Sequence, residues 1–429
     1  MASTSAPPPA VTSPGPAAGP RPRLLSLDVF RGATVAAMIL VNNPGSWSHI
    51  YDPLEHAAWH GCTPTDLIMP FFLFIVGVSI VYALDARKAD PAARPALYRK
   101  IASRTLILFV LGLLLAVFPS SRTNLNLLLS EPATYFGQLR IMGVLQRIAV
   151  VYAVCALLFL WTSPRTWLYA TAAIVAGYFL ALTVVPVPVD GYLRQPPPTT
   201  LPAGLPPSMA VPERARFLPP NLDPATNLAA VIDRTLLTAR HLYRKGPFDP
   251  EGPFSTVSAI ATGLIGMLAG FYLKKGGGDI ASRIAWLFTA ALALTLAGWT
   301  WGYLHPLNKQ LWTSSYTLYT AGLALALLAG CYWLFDVQGY RRGTAPFVWF
   351  GVNAIAAFWG SGFLVRLLGL FPQEWNGRML GLHSYLHQRF IAANVSPPEL
   401  ASLVYAVLMV LLWTAIVGLM WRMKWIIKV

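Results

Sequence analysis

Long apolar runs that recur along the chain are the feature that most constrains its fold. The clearest, Leu67 to Leu84, follows directly on a polar segment and contains no charged residue. A bilayer core of about 30 Å needs roughly 20 apolar residues in one helix. Ten such runs predict an all-α, polytopic membrane bundle of about ten transmembrane helices. They cover residues 25–43, 65–84, 104–118, 142–161, 167–186, 254–273, 283–303, 313–335, 346–368 and 401–421.

The composition supports a membrane protein. Hydrophobic residues make up 55% of the 429 positions and charged residues only 11%, whereas soluble domains carry about 25% charged residues. The net charge of +15 is interpreted as positive charge in cytoplasmic loops, so no nucleic-acid partner is expected. The three cysteines are widely separated, and this spacing predicts neither a disulfide framework nor a zinc site.

Two parts of the chain stand apart from the predicted spans. Residues 1–22 are rich in Pro, Ala, Ser and Thr and lack the apolar core of a signal peptide, so we expect a disordered cytoplasmic tail. Residues 23–429 then form one transmembrane domain. Its connection 187–253 is a long external loop with an irregular proline-rich stretch at 195–220 and a short helix at 227–241, where apolar residues recur at helical spacing.

The distribution of Lys and Arg predicts the orientation. Basic residues fill the connections 85–104, 274–283 and 336–345 and the segment after 421, whereas the loop 43–64 has none. Positive charge marks cytoplasmic loops. We therefore expect both termini in the cytoplasm and the loop 43–64 outside. The lipid bilayer is the first partner, and a bacterial inner membrane is the expected location.

The external loop carries the most conspicuous chemistry. His56 and His60 precede Asp66, which stands at the mouth of the run 67–84. Ionisable groups at a membrane face are costly and indicate function. An imidazole that titrates near neutral pH can move a proton or attack an acyl carbon. His56 is therefore the first catalytic candidate.

Other polar residues inside or beside the runs leave alternatives open. Asp28 and Arg31 are three residues apart, which suits a local ion pair or an arginine that faces a cytoplasmic anion. Asn42 can cap its helix or orient a substrate carbonyl. Lys100 and Arg104 are four apart, which suits either cytoplasmic anchoring or a phosphate site.

Several other chemistries receive little support. Arg147 opens the fourth run, where an arginine can simply reach the interface. His383 and His387 are four apart, but no third ligand is spaced nearby, so no metal is expected. The sequence has no glycine-rich phosphate loop and no Gly-x-Ser-x-Gly turn. ATP-driven transport and serine hydrolysis lose support accordingly.

Ordered motifs over residues 23 to 429 resemble the transmembrane catalytic domain of the heparan-α-glucosaminide N-acetyltransferase family and its bacterial relatives. The motifs are Ser26-Leu27-Asp28-Val29-Phe30-Arg31-Gly32, Val41-Asn42, His56-Ala57-Ala58-Trp59 through Gly61 to Asp66, Lys100-Ile101-Ala102-Ser103-Arg104, Gly143-Val144-Leu145-Gln146-Arg147, Asp249-Pro250-Glu251-Gly252 and Asn308-Lys309-Gln310-Leu311-Trp312-Thr313-Ser314-Ser315-Tyr316.

The resemblance implies an acetyl transfer from cytoplasmic acetyl-CoA to the amine of a terminal glucosamine on the far side of the membrane. It also implies that His56 is catalytic and that Asn42 is its partner. This chain departs from the animal enzyme in two respects. We expect it to lack the large lumenal domain that precedes the bundle there, and it has His60 where that enzyme has Asn.

The sequence-based hypothesis assigns a role to each candidate. The catalytic group is His56 as base or acetyl carrier, Asn42 as oxyanion donor and Asp66 as the residue that orients the imidazole or holds the sugar amine. The phosphates of acetyl-CoA are assigned to Arg31, Lys100, Arg104 and Arg147. The acceptor, an amino sugar or glycan, is assigned to Asp249, Glu251, Trp59 and Lys309. Asp249 and Glu251 equally suit a rigid acidic turn.

Two rival functions remain open at this point. Ten spans in two halves of five also suit a transporter of amino sugars or glycan fragments, which needs no chemistry at His56. An O-acetyltransferase of envelope polysaccharide would share the donor and the topology. The assembly state, with a homodimer among the possibilities, is left open as well.

Overall fold

The computed structural model describes residues 24–194 and 211–427. Most of this part of the chain is α-helical. Its α-helices are α1 Leu25–Asn42, α2 Ile68–Lys88, α3 Arg94–Val117, α4 Arg122–Ser130, α5 Pro132–Phe136, α6 Val144–Trp161, α7 Pro164–Val184, α8 Leu228–Leu237, α9 Pro253–Lys275, α10 Ile280–Trp301, α11 Ser314–Cys331, α12 Ala345–Val352, α13 Ala354–Gly369, α14 Leu382–Leu386 and α15 Pro398–Arg422.

The remaining regular structure is short. Short 3₁₀ helices cover Asp52–Leu54, Pro64–Leu67, Pro91–Ala93, Ala239–His241 and Tyr243–Lys245, and π-helical turns cover Tyr332–Val337 and His387–Ala392. Two antiparallel ladders pair β1 (Val187–Pro188) with β2 (Phe217–Leu218) and β3 (Pro372–Trp375) with β4 (Arg378–Gly381).

The membrane-length helices confirm the predicted all-α polytopic bundle. Within the described ranges, nine helices are long and apolar enough to cross a bilayer. The predicted run 346–368 differs, because it forms two helices, α12 and α13, which meet at Asn353 with a bend of 82°. Asn353 leaves helical geometry at φ −110° and ψ 34°. Its buried side chain accepts a hydrogen bond from the Ile427 amide at 3.1 Å, so the break is held by the end of the chain.

The connections gather at two ends of the bundle. We call the end formed by connections 43–63, 118–143, 185–252, 302–313 and 370–397 the His56 end, and the opposite one the Asp28 end. The Leu25 amide donates to Asp336 at 3.0 Å, and Gly351 packs against the backbone of Asp28. Because Ile427 binds Asn353, both limits of the described chain lie at the Asp28 end.

Helices α2 and α9 make a close contact through glycines near their middles. A Cβ atom on Gly77 would lie 2.0 Å from the Gly263 carbonyl oxygen, and one on Gly266 would lie 2.1 Å from the Phe74 oxygen. Only glycine allows so close an approach of two helices. Since Asp66 precedes α2 directly, this contact helps to set the position of the site described below.

The connection 185–252 packs over the His56 end with its own apolar cluster, which includes Trp59, Tyr178, Leu218 and Phe248. The helix predicted over 227–241 is present as α8 and the 3₁₀ turn that follows it. Asn227 caps α8 by accepting from the Ala230 amide at 2.8 Å. The predicted tail 1–22 and residues 195–210 of the predicted proline-rich stretch lie outside the described residues.

Candidate active site

A histidine–carboxylate pair lies at the His56 end. His56 Nδ1 is 2.7 Å from Asp66 Oδ1. The Asp66 side chain is 1% exposed, whereas that of His56 is 39% exposed. A carboxylate on Nδ1 favours the tautomer that carries a proton there, which leaves Nε2 with its lone pair. The imidazole can therefore serve as a base or nucleophile toward a molecule that arrives from outside.

The carboxylate of Asp66 is held rigidly by its own loop. Its Oδ2 accepts from the Ala57 amide at 3.1 Å, from the Thr63 amide at 3.0 Å and from the Thr63 hydroxyl at 3.1 Å. The Thr63 contacts form a capping box that begins the 3₁₀ helix Pro64–Leu67. Tyr316 donates to the Asp66 carbonyl oxygen at 2.6 Å. The loop that carries His56 is thus fixed to α2 and α11.

The connection 302–313 brings a cation to this pair. Lys309 Nζ lies 3.1 Å from each ring nitrogen of His56 and 3.8 Å from Asp66 Oδ1. The Gly61 amide donates to the Leu307 carbonyl oxygen at 2.7 Å, which joins the two loops. The predicted acceptor ligand Lys309 therefore contacts the catalytic candidate itself.

The predicted acceptor ligand Trp59 packs into the connection 185–252. Its side chain is buried, with 3% of the residue exposed. The indole N–H donates to the Leu222 carbonyl oxygen at 2.8 Å, and the ring packs edge-on against Phe248 at 5.0 Å. Trp59 therefore anchors the His56 loop, and its contact with an acceptor stays a prediction.

The predicted acceptor ligands Asp249 and Glu251 form the rigid acidic turn that was the alternative interpretation. Arg140 donates to Asp249 at 3.0 and 2.5 Å and to Glu251 at 2.5 Å. The Asp249 side chain is fully buried and that of Glu251 is 11% exposed. Burial alone would raise the pKa of Glu251, but Arg140, Arg147 and Lys309 lower it overall. The turn is a closed ion-pair cluster.

Arg147, the fourth predicted donor ligand, lies apart from the other three. It is fully buried and lies outside the lining of the cavity described below. It donates to the Pro250 carbonyl oxygen at 2.7 Å and to the Ser255 hydroxyl, and its guanidinium stands 4.9 Å from the centre of the Trp312 ring. These contacts bind α6 to the start of α9 and to the connection 302–313.

Asn42 is the last residue of α1 and is exposed at the His56 end. Its side chain makes no hydrogen bond within the part of the chain that the structure describes. The neighbouring Asn43 caps the end of the helix, because its side-chain amide donates to the Ile39 carbonyl oxygen at 2.6 Å. Asn42 is therefore left with a polar group that a ligand can use.

Three of the predicted donor ligands meet in one cavity. A cavity of about 920 Å³ opens among α1, α2, α3 and α6, and its lining includes Arg31, Lys100 and Arg104. Its apolar walls reach Met38 and Leu145. Met38 is seven residues beyond Arg31 on α1, or about 10 Å along the helix toward the His56 end.

The cations of this cavity are differently held. Arg31 donates to the Ser79 hydroxyl at 2.7 Å and pairs with Asp28 at 3.3 Å, as the spacing of the two residues predicted. Arg104 stacks over the Tyr152 ring at 4.7 Å. Its Nε is buried and has no hydrogen-bond partner among the described residues. A buried donor of this kind is costly unless a ligand satisfies it, and a phosphate oxygen fits it.

Sequence reasoning missed some residues of these two sites. Tyr152 and Lys274 line the cavity. Tyr152 could not be recognised from the sequence, because it lies in the middle of an apolar run. Cys62 lies near Asp66, and its burial, followed by the Asp66 charge, raises the pKa of the thiol to about 12. His305 is fully buried, and this burial lowers its pKa to about 4. At neutral pH, Cys62 is therefore a thiol rather than a thiolate, and His305 is a neutral imidazole rather than an imidazolium.

The histidines 383 and 387 are not part of a recognisable metal centre. The His387 ring packs against Gly45 and edge-on to Tyr405 at 5.8 Å. Across residues 24–194 and 211–427, no three His, Cys, Asp or Glu side chains come together as a metal-binding group.

Comparison with known proteins places this arrangement in a family. The family model described as "Heparan-alpha-glucosaminide N-acetyltransferase, catalytic" matches residues 23–200, which include His56, Asp66 and the three cavity cations. The protein named heparan-alpha-glucosaminide N-acetyltransferase from Homo sapiens is 31% identical over an alignment 394 residues long, which covers 82% of this chain and 54% of that protein. The chain belongs to the heparan-α-glucosaminide N-acetyltransferase family.

A second relative gives the same result. The protein of the same name from Mus musculus is 30% identical over an alignment 395 residues long, which covers 82% of this chain and 55% of that protein. The chain thus spans about half the length of the curated relatives it matches. The family relationship agrees with the resemblance seen in the ordered motifs.

Proposed function

We propose that this chain is a membrane acetyltransferase that takes acetyl from acetyl-CoA at the Asp28 end and delivers it to the amine of an extracytoplasmic amino sugar at the His56 end. The arrangement that carries the proposal is the separation of two sites. Arg31, Lys100 and Arg104 line one cavity at one end, and the pair of His56 and Asp66 lies at the other. The names of the relatives support the reaction class.

The donor end is proposed to face the cytoplasm. Basic residues cluster at this end, in agreement with the positive-inside rule: Arg87, Lys88 and Arg94 flank the connection 89–93, Lys274, Lys275 and Arg283 flank 276–279, and Arg341 and Arg342 lie within 338–344. The Arg104 Nε, which has no hydrogen-bond partner among the described residues, and the ammonium of Lys100 would hold phosphates of the coenzyme. The apolar walls up to Met38 suit the uncharged arm that carries the thioester.

The transfer needs one proton acceptor near the acceptor amine. The amine nitrogen attacks the thioester carbonyl carbon, the carbon–sulfur bond breaks, and the coenzyme leaves as a thiolate that is then protonated. His56 Nε2 accepts the proton that the new ammonium must lose. Alternatively His56 attacks first and carries the acetyl group to the amine. Asn42, which is exposed at the same end of the bundle, would donate to the oxyanion.

A transfer assay with two controls tests the proposal. Purified protein in lipid nanodiscs is given acetyl-CoA labelled in the acetyl group together with glucosamine. We expect labelled N-acetylglucosamine from the natural chain and at least a 100-fold lower rate from H56Q. Label that is lost in alkali would indicate an ester and the O-acetyltransferase. Sugar uptake into vesicles without any acetylation would instead establish the transporter and overturn the proposal.

The donor site is tested separately by direct binding. Arg104→Gln and Lys100→Gln are expected to weaken binding of coenzyme A about tenfold or more each, because each removes a charge-assisted hydrogen bond to phosphate. Arg99→Gln is the matched control, since Arg99 lies on the same helix and outside the cavity lining. Equal affinity in all three variants would remove the cavity from the donor site.

A further inference from the structure

The cavity among α1, α2, α3 and α6 has a side that faces the bilayer. Helix α3 forms this side, and only 17% of its most apolar stretch is buried within the molecule. Ile107 of α3 lines the cavity and is also 42% exposed. Ile426 and Ile427 line the cavity as well and are exposed in the same way. A coenzyme that arrives from water does not need an apolar rim of this kind, so the opening suits a molecule that enters from the lipid.

Side chains on one face of α3 change from basic to apolar along the helix. Lys100, Arg104, Ile107 and Leu108 recur at spacings of three and four residues, and all of them line the cavity. The two cations come first, where the apolar part of the helix begins. Ile107 and Leu108 lie about 4.5 to 6 Å beyond Arg104 toward the middle of the membrane. A phospholipid has the same order, because its phosphate lies at the leaflet surface and its acyl chains point toward the middle.

The basic part of this face is suited to an anion. Arg104 stacks over the Tyr152 ring at 4.7 Å, and its buried Nε has no hydrogen-bond partner within the part of the chain that the structure describes. Lys100 precedes it by one helical turn. Trp425 is exposed at the same end of the bundle, and exposed tryptophans are typical of the membrane–water interface. The two cations therefore lie near the level at which the phosphates of one leaflet are found.

We infer that an anionic phospholipid of the leaflet at the Asp28 end binds in this cavity. Its phosphate contacts Lys100 and Arg104, and one of its acyl chains lies along Ile107 and Phe358, which both line the cavity. The lipid site stands on the cavity alone. Its consequence for the enzyme rests on the proposed function: lipid and coenzyme use the same cations, so each excludes the other.

Native mass spectrometry of protein released from nanodiscs of phosphatidylcholine and phosphatidylglycerol tests the lipid site. We expect the natural chain to retain phosphatidylglycerol and Arg104→Gln to retain about fivefold less, because a basic residue near the leaflet surface contributes an attraction of that size. Ile107→Trp, which fills the opening, should lose the lipid to a similar extent. Arg99→Gln and Leu106→Trp are the matched controls, since both residues lie on α3 outside the cavity lining, and they should retain it.

Two outcomes would overturn the lipid site. Equal retention in all four variants would show that the lipid only surrounds the protein. Complete release of the lipid by inorganic phosphate would show a site for free anions that does not bind an acyl chain. Variants are compared only after size exclusion and thermal melting show that they fold, and the phosphate experiment on the natural chain needs no variant.

Coenzyme A tests the competition. It should release the bound phosphatidylglycerol from the natural chain. Its affinity should be about threefold weaker in nanodiscs with phosphatidylglycerol than in phosphatidylcholine alone, which corresponds to a site about two-thirds occupied by lipid. This difference should shrink in Ile107→Trp, whereas repulsion by the charged bilayer surface would persist there.

The results separate this inference from the proposed function. A natural chain that holds lipid and coenzyme at once would overturn the competition. A chain that retains the lipid as expected but neither binds coenzyme A nor transfers acetyl would overturn the proposed function and leave the lipid site standing.

Discussion

At the scale of single residues, the site depends on Asp66 more than on any other side chain. One of its oxygens binds His56, and the other accepts from two residues of the same loop. The carboxylate therefore orients the imidazole and also holds the loop in its shape. The sequence predicted both residues, because a histidine and an acid ten positions apart stand at the mouth of an apolar run.

We expect Asp66→Asn to lower the rate of acetyl transfer by on the order of 10²-fold or more, because the amide loses the charge that selects the imidazole tautomer. The turnover number at saturating acetyl-CoA measures the effect. Asp52→Asn is the matched control, since Asp52 is exposed on the same connection. A rate for Asp66→Asn within threefold of the natural chain would contradict the orienting role.

Asp233 gives a prediction about pH and stability. Burial raises its pKa to about 7, above the value of about 3.9 expected in the unfolded chain. Its contribution to the free energy of unfolding is therefore complete below pH 4. As the pH rises from 4 to 7, this contribution falls by roughly 1.4 kcal/mol per pH unit. Asp233→Asn should raise the melting temperature at pH 8 more than at pH 5. An equal effect at both pH values would refute this.

At the scale of elements, length and polarity predicted the helices well, but not the positions where they break. The run 346–368 has the composition of one span, yet it bends at Asn353, whose side chain accepts from the Ile427 amide 74 residues later. The contacts of Trp59 could not be predicted for a similar reason. Its partners Leu222 and Phe248 belong to the connection 185–252, more than 160 positions along the chain. The residues next to Trp59 in the sequence do not indicate such contacts.

The glycines between α2 and α9 give the prediction for this scale. Gly266→Ala should lower the melting temperature in nanodiscs by several degrees, because the new Cβ would meet the Phe74 carbonyl group. Gly177→Ala serves as the control, since nothing lies within 4 Å of a Cβ at that position of α7. Helix propensity alone favours alanine over glycine, so a loss of stability as large for Gly177→Ala would show that the close contact does not determine the result.

At the scale of the whole molecule, the two ends have different tasks in the proposed reaction. The sequence predicted that Arg31, Lys100 and Arg104 serve one ligand, and the structure brings all three to one cavity. It could not predict that Lys309 meets His56, because the two residues are 253 positions apart. Pairing of that kind depends on how the helices pack, and the apolar pattern of each helix is compatible with many packings.

Labelling of intact cells tests the proposed orientation. In a background with Cys62, Cys155 and Cys331 replaced by alanine, Trp47→Cys at the His56 end should react with a membrane-impermeant maleimide. Gly277→Cys at the Asp28 end should react only after the cells are opened. Both positions are exposed, so access depends on the side of the membrane. The reverse pattern would place the proposed donor cavity outside the cell.

The hydrogen bond between Ile427 and Asn353 has a practical consequence for anyone who prepares this protein. Ile426 and Ile427 form part of the cavity wall. An affinity tag fused shortly after Ile427 would add bulky polypeptide beside the cavity in which the proposed coenzyme binds. Tags and fluorescent fusions therefore belong ahead of residue 23, and kinetic constants from carboxyl-terminal fusions need comparison with untagged protein.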